Sequence, residues 1–430
     1  MSPFFKKKTK YQLSTFLMRK RAFWVTILVI CSLLLNCFVG NPIVSAFTQD
    51  QKLLLQSWRL VNQAYIDNSF NNQDWWSLRQ QFLQRHLHDR EETYDTIDEM
   101  LATLDEPFTR LLRPGQYHNL QVSTAGELSG VGLQININPE TGNLEVVAPL
   151  TGSPAESAGI KARDRILKID GVDTTTLTLD EAAAKMRGSN GTQVSLTIEP
   201  YQAGKVIRKV NIIRANISLS PVFADIDSQN QSIPIGYIRL NQFSANAAQD
   251  VADAVANLEQ QGTKAYILDL RNNPGGLLQV GIEVARLWLD DGTIVHTVNR
   301  QGIRDSFSAF GSALTKAPLA VLVNKGTASA SEILAGALQD NGRGILVGEK
   351  TFGKGLIQSL FELPDGAGLA VTVAKYETPN HKDIHKLGIV PDEVVSQDPI
   401  NYREIGTDVD LQYQAAIKLL TSNIAMAHAS

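Results

Sequence analysis

GYIRL at 236–240, AQDVADAVANLEQQG at 248–262 and AYILDL at 265–270 follow one another with only short breaks between them. The first and third are short and rich in branched and aromatic residues, as strands are. The middle stretch repeats its apolar residues at helical spacing. GLLQVGIEVARLWLD (276–290) adds a second helix, and PLAVLVN (318–324), GILVG (344–348) and AVTVAKY (370–376) add further strands, apolar almost throughout. Such alternation predicts a mixed α/β core around a largely buried sheet.

Upstream the pattern changes. VGLQININ (131–138), LEVVAP (144–149) and VSLTIEP (194–200) read as strands separated by turns. Between them SPAESAG (153–159) spells a short helix, with a serine cap, a proline at the first turn and a closing glycine. DEAAAKMRG (180–188) reads as a longer one. Before residue 113 the signals are helical, over 50–66, 75–83 and 96–104. The chain therefore reads as an α+β multidomain protein: a start segment at 1–46, a helical region at 47–112, a β domain at 113–215, a mixed α/β core at 216–400 and a helical tail at 401–430 packing on that core.

The chain has 430 residues, enough for two to four cores, and a formal charge of −4. That charge is unevenly spread. Residues 1–46 hold seven Lys and Arg and no acid, which leaves −11 on the rest. An acidic body speaks against nucleic acid as a partner. The basic RKR at 19–21 precedes the uncharged AFWVTILVICSLLLNCFVG (22–40) and the small-residue stretch VSA (44–46). This order is that of an export signal cleaved near Ala46; a retained membrane anchor is the other reading. Cys31 and Cys37, the only two cysteines, both lie in this segment. The body of the protein thus has neither a disulfide framework nor a cysteine nucleophile.

GTASASEILAG (326–336) places two serines where a helix begins. Ser329-Ala-Ser-Glu332 is a capping box, which by itself explains Ser329 as structural. The start of a helix also favours negative charge, including that of a tetrahedral oxyanion. A serine nucleophile needs a base, yet none of the seven histidines sits in a glycine-rich elbow and no G-x-S-x-G surrounds either serine. TFGKGLIQ (351–358) offers Lys354 among glycines and apolar residues. A lysine there is either an exposed loop residue or one desolvated enough to act as a neutral amine. RNNPGG (271–276), directly after a strand, is either a plain turn or a source of backbone donors. Asp340 lies too far along the helix to reach Ser329, about 16 Å at 1.5 Å per residue, and reads as a partner in a structural ion pair. Gln358 would reach Lys354 only across irregular or bulged backbone, since a regular strand separates them by about 13 Å. His381 and His385 lie in a polar stretch without a third ligand, so no metal site is read there.

Taken together, NKGTASASEILAGALQDNGR (324–343), GEKTFGKGLIQ (348–358), DLRNNPGG (269–276), GIVPD (388–392), LDEPFTRLL (104–112) and SGVGLQI (129–135) resemble the carboxyl-terminal processing, or tail-specific, proteases over about residues 50–395. QGIRDSFSAFG (301–311), VAKYETP (373–379) and SWRLVNQAYID (57–67) resemble the branch that matures a photosystem II reaction-centre precursor. The resemblance implies a serine endopeptidase with Ser329 as nucleophile, Lys354 as general base and Gln358 orienting the lysine. It also implies backbone N–H groups of Gly275 and Ala330 as oxyanion donors, and no metal or cofactor. It makes the β domain a PDZ domain, with Ser129, Gly130, Val131, Gly132 and Leu133 around a substrate's terminal carboxylate. The partner it implies is a protein with a free C-terminus, membrane-associated, met after export to a thylakoid lumen or periplasm. A catalytically silent PDZ adaptor, a Ser/His hydrolase and a general periplasmic tail-specific protease remain the alternatives.

Overall fold

The computed structural model describes residues 47–138, 141–150, 152–201, 206–227, 233–302, 304–400 and 404–429. The export signal read at 1–46 lies outside the described residues. Among them, no helix is long and apolar enough to cross a membrane.

The core is a six-stranded sheet in the order Val222–Asp227, Ile235–Leu240, Ala265–Asp269, Leu319–Val323, Ile345–Gly348, Glu393–Val394. The first strand runs antiparallel to its neighbour and all the others run parallel. Side chains alternate across such a sheet, and both faces here are apolar. Ile238, Leu240, Tyr266, Leu268, Val321, Val323 and Leu346 face the helices Ala247–Gln260, Leu278–Arg286 and Ala330–Asp340. Ile235, Tyr237, Ala265, Ile267, Ala320, Leu322 and Val347 face Tyr413, Ala416, Ile417 and Leu420 of the helix Leu411–Ala429. A strand covered on both sides has no polar face, which is why these segments read as continuous apolar runs.

The helices Gln49–Ala64, Trp75–Leu83 and Arg90–Ala102 precede a short strand, Arg110–Leu112. That strand pairs with Gly368–Glu377, and the latter also pairs with Thr293–Asn299 and Leu356–Glu362. Buried Trp58, Val61, Phe82, Ile97 and Met100 share one cluster with Leu363, Leu369 and Val371. The helical region is therefore not closed off at 112: its last strand is built into a sheet of the core.

Residues 114–125 form a helix that periodicity does not predict, because Tyr117 is its only buried side chain. The β domain follows as a sheet ordered Leu133–Ile137, Leu144–Pro149, Arg165–Ile169, Gln193–Glu199, Arg208–Ile213. Its core is formed by Val146, Ile166, Ile169, Val194, Leu196 and Ile198. Glu127–Gly130 leads in and Ala215–Ser218 leads out, paired antiparallel to each other. These two strands form a separate two-stranded sheet, which spans the boundary read at 215.

Candidate active site

Ser329 stands at the start of Ala330–Asp340 with φ 58° and ψ −119°. A residue with a side chain costs about 1–3 kcal/mol in such a conformation and stays there only when its surroundings over-determine it. Three contacts do so. Glu332 accepts the Ser329 N–H at 2.9 Å, and the Tyr376 hydroxyl donates to the Ser329 carbonyl at 3.0 Å. Gly275, at φ 98°, lies so close that a Cβ there would meet the Ala328 oxygen at 2.8 Å and the Ser329 Cβ at 2.9 Å.

The capping-box glutamate reaches further than its own helix. Its fully buried carboxylate also accepts the Thr351 hydroxyl at 2.5 Å, the Gly353 N–H at 2.8 Å and the Lys354 N–H at 2.9 Å. Residues 351–355 have no regular structure, and this one side chain shapes them. Their far side is fastened by Lys386 N–H to the Gly353 carbonyl at 2.8 Å and by Ile389 N–H to the Thr351 hydroxyl at 2.7 Å. The sequence shows Glu332 as a cap; its second role depends on a contact 22 residues away and has no local signal.

Ser329 and Lys354 line one cavity of about 350 Å³, together with Phe108, Gly275, Ala330 and Gln358. Burial pushes the Lys354 ammonium below the ordinary lysine range, and the positive charge of Arg110 acts in the same direction. Glu106 and Glu332 oppose them. The Phe108 ring, its centroid 4.9 Å from Nζ, also favours the charged form. Desolvation outweighs the two carboxylates.

Gln358 lies in the strand Leu356–Glu362 beside a bulge between Ile357 and Gln358, with Lys354 just outside the strand. This is the irregular backbone that brings both residues to one cavity. Its Nε2 donates to Thr372 Oγ1 at 3.3 Å.

The two expected oxyanion donors differ. Ala330 N–H, at the first helical position, has no partner among the described residues. Gly275 N–H instead donates to Asn273 Oδ1 at 2.9 Å, in a turn that the Asn273 side chain closes on itself. In this structure the Gly275 donor is therefore engaged within its own turn. The turn is anchored from behind. Arg271 bonds Asp269 and Asp410, Tyr237 donates to Asp269 at 2.7 Å, and Asp269 and Asp410 are fully buried. Burial raises the Asp410 carboxyl, but the hydrogen bonds and charge of Arg271 outweigh it and hold the pKa below the carboxylate range.

The remaining candidates have structural partners. The buried Ser331 hydroxyl donates to the Asn273 carbonyl at 3.0 Å. Asp340 accepts from Thr378 at 2.6 Å and from Lys382 at 3.0 Å. His381 stacks on His296 with centroids 4.1 Å apart, and the backbone of His385 packs against Gly355.

In the β domain, Ser129 Oγ donates to the Gly188 carbonyl at 2.7 Å and fastens the strand Glu127–Gly130, which ends at Gly130. The carbonyls of Val131 and Gly132 accept from Ala155 and Leu150, each at 2.9 Å. The Gly132 N–H makes no hydrogen bond among the described residues, although the residue is buried. Unpaired buried N–H groups are costly, and a carboxylate would satisfy them. Gly132 is required there: at φ 77°, a Cβ would lie 2.3 Å from that of Ser153. Leu133 opens an edge strand of the sheet.

Residues 234–395 match peptidase family S41, and residues 145–200 match the PDZ domain. A carboxyl-terminal-processing protease of Synechocystis sp. is 65% identical over 416 residues, covering 96% of each chain. One from Picosynechococcus sp. is 63% identical over 404 residues, covering 93% of this chain and 97% of its own. Among solved structures, a photosystem II D1 C-terminal processing protease superposes with a TM-score of 0.53 at 40% identity, over 84% of this chain and 98% of its own. With a PDZ domain set before a mixed α/β peptidase core, the chain belongs to the carboxyl-terminal-processing serine proteases of peptidase family S41.

Proposed function

We propose that the chain is exported and removes a C-terminal extension from a membrane-associated protein, the photosystem II reaction-centre precursor, in a thylakoid lumen or periplasm. The observation that carries the chemistry is the shared cavity of Ser329 and a Lys354 whose ammonium is disfavoured by burial. In the proposed cycle the neutral amine takes the proton of the Ser329 hydroxyl as Oγ attacks the scissile carbonyl. The Lys354 ammonium returns that proton to the leaving amine, and an activated water then releases the acyl group. Ala330 N–H faces the developing oxyanion at the positive end of its helix. Gly275 N–H joins it once released from Asn273. Gln358 orients the lysine. The substrate's terminal carboxylate lies on the N–H groups of Val131, Gly132 and Leu133, with Ser129 and Gly130 holding that loop in place, and its chain extends the edge strand at Leu133.

Support for the substrate comes from the high identity to cyanobacterial relatives and from the likeness to a D1-processing protease. The test is mass spectrometry of the precursor incubated with wild-type, Ser329→Ala and Lys354→Ala proteins. The reading expects one defined truncation with wild type alone, while Ser329→Ala still binds the tail. An intact precursor in all three reactions overturns it.

A further inference from the structure

Glu106 lies in the loop between the third helix and the strand Arg110–Leu112, far in sequence from both halves of the site. Its Oε1 accepts the Phe108 N–H at 2.6 Å, and its Oε2 accepts the Thr109 N–H at 3.0 Å and hydroxyl at 2.8 Å. A fourth donor is Thr372, whose hydroxyl is 2.6 Å from Oε2. Thr372 is fully buried, and its Oγ1 is also 3.3 Å from Gln358 Nε2.

These contacts fix a direction. A carboxylate only accepts, and a hydroxyl has one proton. At 2.6 Å from Glu106, that proton belongs to the Thr372–Glu106 bond. Thr372 Oγ1 can then only accept from Gln358. Turning the amide over would set Oε1 against Oγ1 with no proton between two oxygens. The carboxylate at 106 therefore determines which end of the Gln358 amide faces Thr372 and which faces the cavity shared with Lys354.

We propose that Glu106 and Thr372 are positioning residues: together they hold the Gln358 carbonyl toward Lys354 Nζ, where it accepts one N–H and aims the amine lone pair at Ser329. This rests on the reading of Lys354 as the base. Without the relay, the Thr372 hydroxyl is free to donate to Oε1, and the amide turns its own NH₂ toward the lysine. A donor facing a donor neither orients the amine nor stabilises its ammonium.

The experiment uses the full chain and a quenched-fluorescent peptide with a free apolar C-terminus, cleaved by the wild type. Thr372→Val keeps the volume and removes the hydroxyl; kcat is expected to fall about tenfold to a hundredfold, with KM changed by less than about threefold. The rising limb of kcat/KM against pH is expected to move to lower pH, because the ammonium loses an acceptor while Arg110, Glu106 and Glu332 still act on it. Thr372→Ser restores both readouts. Thr372→Ala carries the same two readouts where Thr372→Val does not fold. Glu106→Gln is read on kcat alone, expected to fall likewise, because loss of its charge by itself moves the limb to lower pH.

A Thr372→Val protein with unchanged kcat overturns the relay. So does a loss of activity with an unmoved pH limb, or a failure of Thr372→Ser to restore it. Cleavage that persists in Lys354→Ala sinks the base assignment, and the relay with it. Cleavage lost in Lys354→Ala but untouched by the relay variants sinks the relay alone.

Discussion

The backbone N–H groups of Ser329 and Lys354 converge on a single oxygen, Oε2 of Glu332, each at 2.9 Å. Two segments that the chain separates by a helix and a strand are thus set in register by one buried carboxylate. Glu332→Gln puts an NH₂ among four donors and keeps the volume. The expected outcome is a fall in kcat of at least about a hundredfold, with a much smaller change in KM, because the geometry of attack is lost before substrate binding is. Steady-state kinetics on the two proteins decides it.

Activity should rise with pH. Lys354 acts as a base only when neutral, and burial favours that form. Below its pKa, kcat/KM should climb about tenfold per pH unit and level off short of the ordinary lysine value near 10.4. A profile that is flat from pH 6 to 10 would exclude the amine as base.

Stability should fall in acid through the anchor behind the turn. The Asp410 pKa is held below its unfolded value, so the carboxylate stabilises the fold above about pH 4 and that contribution is lost as pH falls through the lowered pKa. Asp410→Asn removes the charge at neutral pH and leaves Arg271 half-paired in the interior. Denaturant unfolding at pH 7 should show a loss of about 3–5 kcal/mol, with a weaker acid dependence than the wild type.

Tyr376→Phe removes the donor to the Ser329 carbonyl and little else. The carbonyl and the strained turn lose one restraint. Urea melts should register a loss of about 1–3 kcal/mol, and kcat should fall more than KM changes.

Much of this was legible in the sequence, and the reasons are local. Ile235 to Leu240 and Ala265 to Asp269 are apolar on both faces, so the covered sheet is visible in their runs. Ser329 and Glu332 announce a helix start through their spacing. The helix at 114–125 gave no signal because only Tyr117 is buried and no stripe results. The strand Arg110–Leu112 is three residues long and takes its identity from pairing with Ala370, Leu369 and Gly368. The engagement of Gly275 N–H by Asn273 follows from a side-chain rotamer, not from spacing. The Glu106–Thr372–Gln358 chain joins three remote segments, and no window of sequence contains it.

The left-handed backbone at Ser329 carries a consequence for how the protein tolerates change. Glycine would occupy that φ without penalty, so Ser329→Gly should fold about 1 kcal/mol more stably than the wild type while doing no chemistry. Selection for robustness alone would erase the serine. With Ser329 as the proposed nucleophile, its presence marks the position where this chain retains reactivity at the expense of its own resilience.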